Sequence, residues 1–342
     1  MLFFGKRCEL FVDNYLIEES ENIRFKANEP KCVKKVISFD KPWETEGSTG
    51  VSVFRDDKNI KMYYRGFPSV GNDQNEMQTS CFAESDDGVN FERAKVNMID
   101  YNGEKENNIV FMGTNAHNFA PFYDTNPNCK PEERYKAIGG VTGGIHVYSS
   151  PDGIHWTEMA DGAVITDGAF DSMNIAFYDE NDKLYRCYSR REERSDVVID
   201  PTLLSDIRSD VTVPRAVLRA IQVCVSTDFI HWSQPMLIEY DRLRDDHLYT
   251  NASTCIPGAE HIKISVPMRF HPKRIKLESY EGIPGKAKYN GVSDAVLMTS
   301  RDGLHWNRTV KDAWIRAGFN EREWTQRNFI ALAGIIVEMA CL

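Results

Sequence analysis

The stretch SPDGIHW occupies residues 150–156, and near copies stand at 85–91 (SDDGVNF), 226–232 (STDFIHW) and 300–306 (SRDGLHW). Each reads Ser, a variable residue, Asp, usually Gly, a branched apolar residue, His or Asn, and an aromatic. Asp-Gly is tight-turn chemistry: Gly accepts positive φ without steric cost, and the Asp side chain bonds its own backbone. The runs before the phrase (QTSCFAES, GGIHVYSS, RAIQVCVS and DAVLMTS) are rich in β-branched and aromatic residues and partly alternate, as strands do. The phrase therefore predicts a hairpin, with its aromatic returning to fill the space between neighbouring sheets.

The four Asp positions, 87, 152, 228 and 302, are 65, 76 and 74 residues apart. Solenoid units span about 20–47 residues, so these intervals suit a four-stranded sheet with generous loops instead. Further strand pairs precede the phrase in VSVFRDDKNIKMYYRG, NFAPFYDTNP…RYKAIGG and NIAFYDENDKLYRCYSR. Four-stranded antiparallel units repeated about an axis make a β-propeller. The expectation is an all-β, five-bladed β-propeller forming a single domain over residues 1–342. Its blades would cover about 43–100, 107–165, 168–240 and 245–310. The last, 324–342, is too short to be complete and would be supplemented by N-terminal strands within 10–36. The ending VEMACL falls in mid-strand and reads as the truncation of a longer chain, while 205–219 and 273–290 read as insertions.

Composition narrows the function classes. The chain is 42% apolar and 27% charged, with a formal charge of −10. No Lys/Arg-rich stripe offers the basic face that nucleic acid requires, and no apolar run approaches the roughly 18 residues of a membrane span. The opening residues lack the apolar core of a signal peptide, which predicts a cytoplasmic protein. None of the eight cysteines forms a CxxC pair, and Cys81, Cys187 and Cys224 sit in strand-like runs as small hydrophobes, a pattern of a reduced compartment. There is no G-x-S-x-G, H-E-x-x-H, phosphate loop or dinucleotide fingerprint. No cofactor is expected, and without a dedicated calcium loop no metal either. Oligomeric state is not legible.

In a propeller the innermost strand of each blade starts near the axis, so residues at these starts converge. Here they share an Asn: Asn118, Asn174, Asn251 and Asn328. Asn caps strands and turns; a ring of amides would equally suit a hydroxyl-rich ligand. Glycoside cleavage takes two carboxyl groups flanking the bond. The acids near the starts are Glu44 and Glu46 in KPWETEG, Asp171 in GAFDSMN and Asp294 in GVSDAV, with Glu84 in CFAES one strand further out. Asp171 leads, three residues before Asn174; Glu44 follows Trp43, whose ring either stacks on a sugar or fills core. Arg65, Arg190 and Arg269 recur after second strands and can bind carboxylates or pair between blades. Together they tilt the reading towards an anionic or heavily hydrogen-bonding pocket. His117 titrates near neutrality as a residue type and suits acid/base work or a structural hydrogen bond. Tyr249 and Arg327 complete the candidate binding residues, while His155, His231 and His305 belong to the peripheral hairpin.

With the repeated phrase closing four blades, MYYRG and LYRCYSR as second strands and FDSMN opening a blade, the chain resembles the five-bladed propeller superfamily of glycosidases. That group includes arabinosidases and xylosidases, the invertase, fructanase and levansucrase families, mannoside phosphorylases and anhydro-galactosidases. More closely, LFVDNYLIEE, PWE, HNFAPFYDTNP, RYKAIGG and LYTN are similar to bacterial proteins described as invertase-like N-terminal-domain proteins. The resemblance implies acids at the inner strands of blades one, two and three, which fall at Glu44 for blade one and Asp171 for blade three. Blade two departs with His117-Asn118; a His replaces one acid among the anhydro-galactosidase relatives. The absence of NDPNG argues against sucrose or fructan. The implied function is a glycoside hydrolase of an oligo- or polysaccharide, with Glu44 and Asp171 as the axial pair. Inversion is favoured by the arabinosidase precedent and requires carboxyl groups about 6.5–9.5 Å apart rather than about 5 Å. The alternatives are a non-catalytic glycan-binding propeller and a protein-interaction scaffold.

Overall fold

The computed structural model describes residues 7–45, 47–67, 76–141, 143–198, 215–241, 247–271, 292–318 and 330–337, with side chains of 194–198 and 215–217 left aside. Among them there is no α-helix, and the strands form four antiparallel blades. Blade one is β1 (Thr49–Arg55), β2 (Ile60–Gly66), β3 (Thr79–Ser85) and β4 (Glu92–Arg93), with β5 (Ile109–Met112) sharing the outer edge of β3. Blade two is β6 (Ala120–Tyr123), β7 (Tyr135–Gly139), β8 (His146–Ser150) and β9 (Thr157–Glu158). Blade three is β10 (Ile175–Asp179), β11 (Leu184–Val198), β12 (Arg215–Ser226) and β13 (Met236–Leu237). The chain continues through β14 (Glu239–Tyr240) and β15 (His247–Leu248) into blade four. There β16 (Thr254–Ile256) and β17 (Ala259–Ser265) are separated by β18 (Met268–His271) and β19 (Val292–Ala295) from β20 (Met298–Ser300) and β21 (His305–Asn307). β18 and β19 pair with β15 as a small separate sheet, and β14 runs parallel to β21 at the blade edge.

The blades are radial. The first strands β1, β6, β10 and β16 all line one cavity of about 370 Å³, which residues 333–337 also line. A buried linkage steps from blade to blade at one end of this ring. Asp56, at the close of β1, accepts from Tyr135 of blade two at 2.6 Å and pairs with its own Lys61 at 3.4 Å. Asp124 repeats this with Tyr185 of blade three at 2.7 Å and Lys136 at 2.8 Å. Asp179 takes Arg186 at 2.7 Å and Lys263 of blade four at 2.9 Å. Charges this deeply buried are tolerable because each is paired and hydrogen-bonded.

The repeated phrase lies at the same end. Ser150 Oγ accepts the Gly153 N–H at 2.9 Å, and Asp152 Oδ1 accepts those of Ile154 and His155, both at 2.9 Å. Gly153 has φ 78°, and its carbonyl accepts the Tyr63 hydroxyl of blade one at 2.9 Å. A Cβ on Gly153 would stand 2.4 Å from that hydroxyl. Blade four repeats the arrangement, with Tyr188 bonding the Gly303 carbonyl at 2.8 Å. Blade three breaks the pattern: Phe229 occupies the Gly position at φ 69° and is fully buried against Phe122, Tyr185 and Trp232. The strand of blade two that faces it carries Ile138 where the others have Tyr, which leaves room for the ring. Trp156 packs edge-on to Tyr63 of the preceding blade, as expected of the aromatic that ends the phrase.

One expectation needs correction. Residues 10–36 contribute no strand; the N-terminal segment is an extended strap, tied by Asp13 and Glu9 to Arg301 and by the Val12 carbonyl to Thr309. Polar, proline-broken stretches such as ANEPKC lack the alternation that would seat them in a sheet. Of the expected last blade only residues 330–337 are described, and Ala333 exchanges backbone hydrogen bonds with Val51 and Val53 alongside β1.

Candidate functional site

The first strands all begin at one end of the cavity, opposite the repeated turns, and four blades bring polar side chains there. On blade one, Arg65 lies across from Thr49, at the very start of β1. On blade two a single 3-10 turn, η1 (Thr114–Ala116), delivers His117 at its close. The His117 ring is buried, with Arg65 Nη1 3.0 and 3.1 Å from its two nitrogens and Gln78 Oε1 2.9 Å from Nδ1. His117 Nε2 lies 3.4 Å from the backbone carbonyl of Asp171, just before blade three. The Asp171 carboxylate, 29% exposed, takes Arg190 Nη2 as its only partner among the described residues. The same nitrogen lies 3.7 Å from Glu192 Oε1. Tyr249 enters before blade four: the Arg190 guanidinium sits 5.0 Å from its ring centre and that of Arg219 5.1 Å. Arg219 also lies 5.2 Å from the Phe270 ring.

The structure thus brings Asp171, His117, Arg65, Arg190 and Tyr249 together. It does not bring Glu44. The Glu44 side chain has no exposed surface and accepts five hydrogen bonds: from Tyr64 at 2.6 Å, the N–H groups of Asp40 and Lys41 at 2.9 and 3.2 Å, and Arg93 at 3.1 and 2.7 Å. Tyr64 and Arg65 are consecutive in β2, so they face opposite sides of the sheet. Glu44 is bound to one face and the Asp171 cluster meets the other. The expected Glu44–Asp171 pair is therefore corrected: Glu44 ties the strap to Tyr64 and Arg93 of blade one. Glu84 is also elsewhere. It stands opposite Lys61, which it bonds at 3.3 Å along with Asn59 at 3.0 Å, and this is the turn end of the blade.

The asparagines serve as staples. Asn118 and Asn174 both donate to the Phe170 carbonyl, at 3.3 and 3.0 Å, and Asn251 donates to the carbonyls of Met173 and Tyr188 at 3.4 and 3.2 Å. All three are buried, so of the two roles left open for these amides it is the structural one, mostly joining blades, that their hydrogen bonds serve. Arg269 and Asp294 face each other across β18 and β19 in a two-pronged pair, both contacts 2.8 Å, with His271 adding a third at 3.0 Å. Burial raises the Asp294 pKa, but the bonds from His271 and Arg269 outweigh it and hold the carboxyl below its ordinary value. Glu46, Arg327 and Asn328 lie outside the described residues.

Sequence reasoning missed Gln78, Glu192 and Arg219. The signal for Glu192 was the run YSRREERSD, whose strand continues well past the length of its counterparts. Among the described residues no group of three or more His, Cys, Asp or Glu side chains is disposed to hold a metal ion. The cavity lined by the first strands lies deeper, and none of the clustered side chains lines it.

No family model and no curated protein matches the chain. Solved structures do. One, described as a complex of BT0996 and RGII, superposes with a TM-score of 0.53 at 11% identity, covering 85% of this chain and 81% of its own. An N-acetylgalactosamine deacetylase from F. plautii, in complex with blood group B trisaccharide, gives 0.51 at 13% identity, covering 85% and 76%. At such identities the likeness concerns the fold.

Proposed function

We propose that this protein is a glycoside hydrolase of an oligo- or polysaccharide, working at the mouth of the propeller with Asp171 and Glu192 as its carboxylates. The observation that carries this reading is the convergence of Asp171, His117, Arg65, Arg190 and Tyr249 from four separate blades onto one solvent-reaching spot. Arg190 gives Asp171 a charge-assisted partner that fixes its direction. His117 and Arg65 supply donors and acceptors for sugar hydroxyls, and Tyr249 an aromatic body. Two carboxylates drawn to one guanidinium nitrogen stand close together. That suits a two-step retaining course better than the single inverting displacement expected from the sequence, which needs room for a water between the acids. The deacetylase of similar fold was solved with a trisaccharide, in keeping with a saccharide ligand.

The test is release of reducing ends from a panel of aryl glycosides and polysaccharides, with proton NMR of the first-formed anomer. Turnover that survives Asp171→Asn would sink the proposal. A second reading, a glycan-binding propeller without turnover, is favoured by one observation: the acid that the resemblance put on blade one, Glu44, is sealed away from the site. Saccharide binding with no product from any substrate would select it.

A further inference from the structure

One wall of the mouth is built higher than the rest. β11 and β12 run for 15 and 12 residues, whereas β2 and β3 run for 7 each and β7 and β8 for 5. The extra length carries Glu192 and, opposite it in register, Arg219 past the level reached by the other blades and against Tyr249 and Phe270. We propose that this wall selects negatively charged saccharides, with Arg219 and Arg190 receiving the anionic group. The inference rests on the carbohydrate reading above and names its substrate class.

Arg219 is the reason. Among the described residues its guanidinium has no ion pair and no hydrogen-bond acceptor, and its Nε is buried without a partner. Its neighbours are two aromatic rings, a second cation and, across the strand pair, Glu192, with which it makes no ion pair. Asp171 and Glu192 are both drawn to Arg190 and act on Arg219 only at longer range. Arg190 in turn leaves its own Nε without an acceptor among the described residues. A guanidinium taken partly out of water and given no protein acceptor costs free energy that an incoming anion can return. Burial lowers the Arg219 pKa and the Arg190 charge adds to it, against the opposing pull of Tyr249, Glu192 and Asp171. The rings of Tyr249 and Phe270 fix the guanidinium through cation–π contact, so little side-chain freedom remains to be lost on binding. Its planar fork matches a carboxylate edge, and it pairs readily with a sulfate ester too. A neutral glycan would leave it as it is.

Titration calorimetry of the full-length protein tests this with four probes: galacturonan oligosaccharides, their methyl esters, sulfated galactan oligosaccharides and neutral arabinan oligosaccharides. At least one charged probe should bind about tenfold more tightly than the neutral ones, and Arg219→Gln should bring that ratio close to one. Which of the galacturonan or sulfated probes prevails identifies the anion. Because the substitution also touches packing, the same ratio is followed in the unaltered protein between about 0.05 and 0.5 M salt, where screening should reduce it. Equal binding of charged and neutral probes, or a ratio indifferent to both Arg219→Gln and salt, overturns the inference and leaves the carbohydrate reading standing. Binding and turnover of none of the saccharides removes both.

Discussion

Glu44 and Asp171 look alike on paper. Each follows a buried aromatic, Trp43 or Phe170, and each is held by an arginine from its own blade, Arg93 or Arg190. They differ in what remains available. Glu44 has five donors and no exposed surface, so it can neither reach a ligand nor exchange a proton with one. Asp171 has one donor among the described residues and keeps part of its surface in water. The surroundings sharpen the contrast: near Asp171, Ser172, Asn174, Arg190 and Arg219 each bury a polar atom without a partner among the described residues. Native folds rarely leave such groups unmatched except where a ligand or ordered water completes them. A saturated carboxylate is architecture; an undersupplied one amid unmatched polar atoms is the mark on which the proposed site rests.

The sharpest break between the two would come from activity. Asp171→Asn keeps size and hydrogen-bonding capacity but removes the charge, and should lower turnover about 10²- to 10⁴-fold, the range for a positioned acid or base. Its thermal midpoint should stay within a few degrees of the parent. Glu44→Gln should do the reverse. It removes the buried countercharge of Arg93 and leaves only the exposed Asp40 at 3.3 Å, which costs about 3 kcal/mol, the lower end for a broken buried pair because Arg93 retains some exposure and one partner. Urea unfolding would register that loss while kcat/KM at the mouth holds. Equal losses of activity from both variants would mean that the two carboxylates are not divided as described.

The fold was largely legible because its signals are local. The Asp-Gly phrase marks a turn through backbone sterics alone, and its four-fold recurrence at blade-length spacing left few architectures open. The site was less legible because its parts meet only in three dimensions. A Glu beside Trp43 carries no sign in the sequence that Tyr64 and Arg93 will enclose it. The asparagine echo is plain in the sequence, yet its use as staples between blades depends on carbonyls 52 and 78 residues away. Arg219 was hidden inside what reads as an insertion.

A smaller effect tests the architectural side. Gly153→Ala would combine strain at φ 78° with a Cβ 2.4 Å from the Tyr63 hydroxyl, and should cost about 2 kcal/mol. Tyr63→Phe in the same protein removes the colliding oxygen, so the double variant should lose less than the sum of the two singles in unfolding measurements. Blade three has already made the equivalent exchange, pairing Phe229 with Ile138. Strict additivity would show that the blades do not communicate through this contact. Activity is expected to be untouched, which keeps the turn end separate from the mouth.

The smallest effect concerns pH, and it too divides turn from mouth. In Asp152 and Asp302 burial raises the pKa, but bonds from the turn N–H groups and from His155 and His305 prevail and bring both down to about 2. A folded pKa below the unfolded value of about 3.9 means that these groups stabilise above about pH 4, and that the contribution is lost as pH falls towards 2. The His305 pKa is raised by the hydrogen bond it donates to Asp302. Its contribution is therefore complete below the unfolded value of about 6.5 and fades as pH rises through the folded one. The Asp302–His305 pair thus helps most between those limits. Thermal midpoints from pH 2 to 8 should show a shallow maximum in that window. Asp302→Asn should flatten both flanks by weakening the carboxylate and the imidazolium together, and leave the Asp171-dependent activity profile in place. A profile that moved with Asp302→Asn would tie the two ends of the propeller together after all.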